Sequence, residues 1–184
     1  MVDLSSYNND WFNVGAGRLK VVLWYFCNVL FLKNGWNPCN RLKVSLLRLF
    51  GAKIGKDVVI KPCVNIKYPW NLEIGDNCWI GENVWIDNLV HVKIGNNVCL
   101  SQGALLLCGN HNYKKKTFDL IVKEIFIEDG AWIGAKCTVC QGVNAKECSV
   151  LTVGSVATKD LDAYAVYSGN PATRIRKRVF SENA

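Results

Sequence analysis

Two histidines and nine cysteines are the side chains best suited to chemistry at neutral pH, and their positions are not equivalent. His111 follows Gly109 and Asn110 and stands immediately before a stretch, 112–126, that interrupts an otherwise regular pattern. Imidazole titrates near neutrality, so a histidine there is suited to take a proton from a hydroxyl, itself a poor nucleophile. The cysteines suggest other chemistry. Cys137 and Cys140 have the spacing of a metal-binding pair, yet no second such pair follows. An odd cysteine count in a chain of 184 residues argues against a disulfide framework. Cys108, three residues before His111, is the cysteine nearest to it in the sequence. No metal is expected.

These residues sit on a repeat. Counted in sixes, the chain places Ile54, Ile60 and Ile66 at hexad starts; after two extra residues come Ile74, Ile80 and Ile86, and after two more Ile94, Leu100 and Leu106. Beyond the interruption the register returns at Ile127, Ile133, Val139, Ala145 and Leu151. Only Ala145 among these is not Ile, Leu or Val, and the fifth position is small or β-branched in most hexads (Val58, Val64, Cys78, Val84, Val98, Ala104). A helix of 3.6 residues per turn cannot hold a period of six on one face. Three short strands per turn can, each hexad forming one side of a triangular coil with its first residue inward. Stacked at about 4.8 Å, such coils satisfy one another's backbone hydrogen bonds.

The expected fold is therefore all-β: a parallel β-helix of a little under five coils from Ile54. It comprises an N-terminal helical segment (1–50), the repeat (51–172) with an excursion loop at 112–126, and a short C-terminal basic tail (173–184). In this frame Cys137 points inward and Cys140 lies beside a corner, so the two thiols do not converge on one ion. The frame also gives His91 and His111 the same position in adjacent coils, about one strand spacing apart. Two readings of His91 stand. It keeps His111 neutral by disfavouring double protonation, or it faces solvent at a corner.

The formal charge of +7 is concentrated at Arg174, Arg176, Lys177 and Arg178 and at Lys114, Lys115 and Lys116. Such clusters favour anionic partners: nucleic acid, a membrane surface or a phosphorylated small molecule. No nucleic-acid recognition motif is present in the sequence, and no nucleic-acid partner is expected. The apolar run from Val21 to Leu32 is flanked by Arg18 and Lys20 and interrupted by Asn28. A membrane span needs roughly 20 residues, so this run is too short. It is either a helix packed on the coil or a helix lying in a membrane interface. The polar start, Met1 to Asn13, does not read as a secretion signal, and a cytoplasmic, possible membrane-surface location is expected.

The tract Gly109-Asn110-His111-Asn112-Tyr113, followed by the loop and then Trp132-Ile133-Gly134, resembles the sugar O-acetyltransferases of the hexapeptide-repeat superfamily. The run Ser168-Gly169-Asn170-Pro171-Ala172 with Arg174 and Arg176 matches their closing signature. Leu49-Phe50-Gly51-Ala52, Ile66-Lys67-Tyr68-Pro69-Trp70-Asn71 and Val84-Trp85-Ile86-Asp87-Asn88 are similar to acetyltransferases of colanic-acid and related exopolysaccharide pathways. The resemblance spans about residues 45–180. It implies a left-handed coil, where the general crossover rule favours the right-handed one. It implies acetyl-CoA as donor, a sugar-type hydroxyl as acceptor, and His111 as general base in direct transfer; an acyl-cysteine route through Cys108 is discounted.

Carried over from the family pattern, Ala135 meets the thioester and pantetheine arm, Val153, Thr158 and Lys159 line the arm further along, and Arg176 meets phosphate. Trp132 is a candidate wall of the acyl site, and Asp87 and Asn88 are candidates for holding acceptor hydroxyls. The resemblance also implies a homotrimer with active sites between subunits. The N-terminal segment departs from the galactoside-type enzymes, so acceptor contacts they make there do not transfer. Other readings are an acetyltransferase of the same fold acting on antibiotics or amino sugars, a non-catalytic β-helix scaffold, and a carbonic anhydrase of the same coil. The last needs three histidine ligands, which two histidines do not supply.

Overall fold

The computed structural model of the chain describes residues 2–181. From Lys53 onward the backbone winds through short strands that assemble into three faces of five, seven and five strands, parallel except for the last strand of the second face. The hexad starts form three inward columns. Ile54, Ile74, Ile94, Ile127 and Ala145 align on the first face, and Ile60, Ile80, Leu100, Ile133 and Leu151 on the second. Ile66, Ile86, Leu106, Val139 and Ala157 form the third. Exposure falls from 9 % at Ile54, in the first coil, to 0 % at Ile80, Leu100 and Leu106. The hydrophobic term is thus spread along a one-dimensional core in which each coil covers its neighbour.

The corners explain the fourth hexad position. Asp57, Asn77, Asn83 and Asn97 have positive φ there, as do Gly103, Gly130, Gly142 and Gly154. A left-handed residue turns the strand through the corner, and Asn, Asp and Gly tolerate that conformation best. Glycine at the second position answers a different demand. A Cβ on Gly81 would lie 2.8 Å from the amide nitrogen of Gln102 in the next coil, so only hydrogen fits.

The N-terminal segment closes one end. Helix α1 (Arg18–Cys27) runs on as a π-helical turn, Asn28–Leu32, and α2 spans Asn40–Leu49. The first coil has no preceding coil to satisfy its backbone, and α2 supplies the missing partners. The Asn40 amide donates to the Val58 carbonyl and accepts from the Ile60 amide; the Lys43 ammonium donates to the Ile60 carbonyl, and Arg48 to those of Ile54 and Gly55. An exposed sheet edge is thereby capped. Lys43 is fully buried, and burial pushes its ammonium below the usual lysine range.

Three sequence expectations are corrected. The column has five complete coils and part of a sixth, because the register persists through Ala157 and Leu161, which bridges to Ala145. The residues expected as a basic tail include a strand: Ala172–Lys177 pairs antiparallel with Ala165–Gly169 on the second face. The interruption starts and ends earlier than 112–126. Gly109–His111 already leaves the coil to pair with Leu120–Val122 in a hairpin, and the coil resumes at Ile125, aligned with Val92. Leu72 and Val92 likewise stand two residues before a hexad start and point inward, so Ile125 repeats their pattern.

Candidate active site

The hairpin that carries His111 is built to present it. Asn112 donates its amide to the Asp119 carbonyl, and Lys115 pairs with the Asp119 carboxylate at 2.8 Å. Lys115 and Thr117 hold that carboxyl below the usual range. Phe118, between Thr117 and Asp119, has a positive φ of 52°, uncommon for a residue with a bulky side chain. This conformation brings the Phe118 carbonyl 2.9 Å from His111 Nδ1, while the two rings stack at 4.4 Å with only 7° between their planes. A carbonyl can only accept, so Nδ1 carries the proton. In the neutral ring Nε2 then keeps its lone pair. Tyr7, from the N-terminal segment, lies against the other part of the imidazole at 5.7 Å.

His111 lines a cavity of about 560 Å³ with Asp87, Lys67, Tyr68, Tyr7 and Asn9; Phe12 and Leu89 add apolar walls. Asp87 is 7 % exposed and has the Lys67 ammonium 2.9 Å from one carboxylate oxygen, an ion pair at the cavity wall. Gly109 keeps this space open, since a Cβ there would press within 2.6 Å of Leu89. A carboxylate, an ammonium, amides and aromatic faces around a basic nitrogen form a set that can bind and deprotonate a polyhydroxylated molecule.

A second cavity, of about 950 Å³, lies along the second face and shares no lining residue with the first. Ala135, Val153, Trp132, Arg176 and Lys177 line it. Arg178 also reaches it, its guanidinium donating to the carbonyls of Gly130 and Cys148. Cations beside a long, partly apolar channel fit a molecule that carries phosphates at one end and an extended arm at the other. Thr158 and Lys159 are exposed and lie outside this cavity.

The structure changes the reading of three residues. Asn88 is fully buried and its amide is spent on Tyr68, donating to the carbonyl at 2.6 Å and accepting from the amide at 3.1 Å. It shapes the cavity wall by fixing Tyr68 and offers no atom to an acceptor hydroxyl. Trp132 donates to the Ser101 hydroxyl and stands with Ala135 and Arg176, away from the His111 cavity. His91 does not adjoin His111 in the coil. The chain leaves the column before His111, so Glu124, preceding Ile125, takes the place beside His91. The His91 ring instead approaches Glu73 at 3.5 Å.

The cysteines take no part in either cavity. Cys108 is completely buried, and burial pushes its thiol up to about 12, far from a usable thiolate. Cys137 donates to the Thr152 carbonyl inside the coil. Among the described residues no group of three or more His, Cys, Asp or Glu side chains is placed to hold a metal ion. Lys67 and Tyr68 stand out in the sequence only as part of a family motif and not as site residues, and Tyr7 and Phe118 do not stand out at all. Tyr7 carries no signal there, whereas Phe118 could have been suspected as the aromatic residue between the polar pair Thr117 and Asp119.

No family model matches the chain. It is 37 % identical over 184 residues, covering 99 % of the chain and all of its relative, to an Escherichia coli (strain K12) protein described as "Putative colanic acid biosynthesis acetyltransferase WcaF". It is 30 % identical to the galactoside O-acetyltransferase of the same organism, over 72 % of this chain and 67 % of that one. A solved galactoside acetyltransferase in complex with coenzyme A superposes with a TM-score of 0.76 at 25 % identity, over 86 % of this chain and 80 % of that one. A hexapeptide-repeat acetyltransferase of Vibrio cholerae in complex with acetyl-coenzyme A shares the fold with a TM-score of 0.82 at 21 % identity, over 92 % and 93 % of the two chains. The coil is accordingly the left-handed one. The chain belongs to the hexapeptide-repeat acetyltransferases, in the branch of the sugar O-acetyltransferases and the colanic-acid type.

Proposed function

We propose that this acetyltransferase moves the acetyl group of acetyl-CoA onto a hydroxyl of a sugar or polysaccharide precursor, with His111 as general base. The observation that carries the reading is the bond from His111 Nδ1 to the Phe118 carbonyl, which assigns the lone pair to Nε2. Nε2 takes the proton of the acceptor hydroxyl as its oxygen attacks the thioester carbonyl. The tetrahedral intermediate collapses by breaking the carbon–sulfur bond, and the departing CoA thiolate receives the proton back from the imidazolium. No acyl-enzyme forms, in keeping with the buried Cys108 thiol.

Asp87 and Asn9 hold neighbouring hydroxyls, and Tyr68, stacked on Trp70 at 5.1 Å, offers a face to a sugar ring. Ala135, Val153 and Trp132 receive the arm of the donor, and Arg176 its phosphates. The base and the donor groove of one chain occupy separate cavities. Two copies therefore share each active site, one giving His111 and the other the groove with Arg176, and a homotrimer closes three such sites.

The test is release of CoA thiol with a panel of free sugars, sugar nucleotides and lipid-linked glycans. His111→Ala should lower release roughly 10²- to 10⁴-fold while calorimetry shows acetyl-CoA affinity retained, and Arg176→Ala should weaken that affinity. Near-wild-type turnover in His111→Ala contradicts the mechanism.

A further inference from the structure

Helix α1 and its π-helical continuation bury one face and leave an apolar one outside. Trp24 and Leu32 are buried, with the Trp24 indole donating to the Ile66 carbonyl and Asn28 to the Asn65 side chain. On the opposite side Leu19, Val22, Leu23, Phe26 and Leu30 form a stripe at helical spacing; Leu19 is 73 % exposed and Phe26 56 %. Solvent-facing stripes of this kind are ordinarily polar. Trp36, just beyond the helix, is 94 % exposed. The surrounding charge has one sign. From Trp11 to Lys56 the sequence contains no Asp or Glu, and Arg18, Lys33 and Arg41 are exposed. No helix among the described residues is long and apolar enough to cross a membrane.

The helix also adjoins the His111 cavity. A groove of about 280 Å³ lies between it and the coil, walled by Val21, Tyr25, Lys33, Lys67 and Tyr68, and Lys67 and Tyr68 line the His111 cavity as well. The strand of chain before the helix contributes Tyr7, Phe12 and Val14 to that cavity. The apolar face, a groove flanked by two lysines and the catalytic cavity thus follow one another across this side of the molecule.

We propose that residues 18–32 lie on an anionic membrane surface, and that His111 acts on a saccharide anchored to that surface through a lipid phosphate. The second half rests on the acetyltransferase reading given above. The apolar stripe enters the boundary between headgroups and acyl chains, and the exposed cations meet the lipid phosphates. Lys33 and Lys67 flank the path by which the phosphate of an anchored acceptor approaches while its sugar reaches Asp87 and His111. A second copy is a poorer occupant: a two-fold contact would set cations against cations with no acid between Trp11 and Lys56 to offset them, and the trimer proposed above joins the His111 cavity to the donor groove, neither of which includes the stripe.

The full-length protein should float with vesicles containing an anionic glycerophospholipid and much less with zwitterionic ones. Leu23→Asp/Phe26→Asp should weaken flotation roughly 10- to 100-fold, and each neutralisation among Arg18→Gln, Lys33→Gln and Arg41→Gln about fivefold. Because these side chains are exposed, the melting temperature and thiol release with a soluble acceptor should stay at wild-type levels. A saccharide anchored in the vesicle should be acetylated faster than the same saccharide free, and the Leu23→Asp/Phe26→Asp protein should lose that preference. Wild type that ignores anionic vesicles, or a double variant that floats like wild type, overturns the proposal. So does a double variant whose oligomeric state changes, since a second copy would then cover the stripe. Equal rates on anchored and free saccharide overturn the acceptor half alone. Failure of the enzymatic reading shows separately, as near-wild-type turnover in His111→Ala.

Discussion

The coil and the flank that carries His111 are made by opposite rules. In the coil every hexad repeats the same arrangement, so Leu106 at its centre contacts equivalents of itself above and below, Ile86 and Val139. In the flank nothing repeats. Tyr7, Asp87 and His111 meet once, brought together by an N-terminal strand of chain, a coil corner and a hairpin. The coil provides rigidity through redundancy, and the flank provides chemistry through a unique arrangement. Damage to the two should therefore read out differently, one as stability and the other as rate.

The largest effect is expected in the flank. His111→Ala should lower thiol release roughly 10²- to 10⁴-fold, the usual contribution of a general base, with little change in melting temperature. In the coil the order reverses. Leu106→Ala removes a fully buried side chain from the middle of the column and should cost about 2–5 kcal/mol in denaturant unfolding. Any residual folded protein should keep its affinity for acetyl-CoA. Phe118→Ala is predicted to fall between. It keeps the carbonyl that holds His111 Nδ1 but loses the stacked ring, so kcat should drop more than KM rises, with stability nearly unchanged.

The smallest effect concerns acid. The coil closes over the site of the excursion partly through Asp129, whose carboxylate accepts from the Asn96 amide and side chain; these bonds hold its carboxyl below the usual range. A carboxyl depressed on folding contributes stability above its ordinary titration range and loses it as pH falls through the folded value. Because Asp129 is partly exposed, the loss should be modest. Wild type should lose stability below about pH 4, and Asp129→Asn should lose less over that interval, as followed by thermal melts across an acid series.

How much of this the sequence revealed follows the same division. The repeat was legible because inward positions recur every six residues and because chains that stack on themselves announce their period. The interruption pointed to His111 for the same reason, as the place where the period fails. Its limits were misread by a few residues, since Ile125 stands before Ile127 as Leu72 and Val92 stand before Ile74 and Ile94, and that signal was overlooked. The partnership of His91 with His111 failed because it assumed the chain was still in the coil at His111. Asn88 was misjudged because a polar residue at a corner can turn inward to bind backbone, as it does on Tyr68. Tyr7 was beyond reach, for no local pattern says that a residue so early in the chain folds back upon a distant hairpin.

In the proposed mechanism His111 of one copy acts on acetyl-CoA held by the groove of another. Subunit mixing tests it most directly. His111→Ala and Arg176→Ala proteins, each assayed alone, should release little thiol at limiting acetyl-CoA. Dissociated and reassembled together, they should regain activity, because some boundaries then pair an intact His111 with an intact Arg176. A mixture no more active than the sum of its parents, after exchange of subunits has been verified, would contradict the claim.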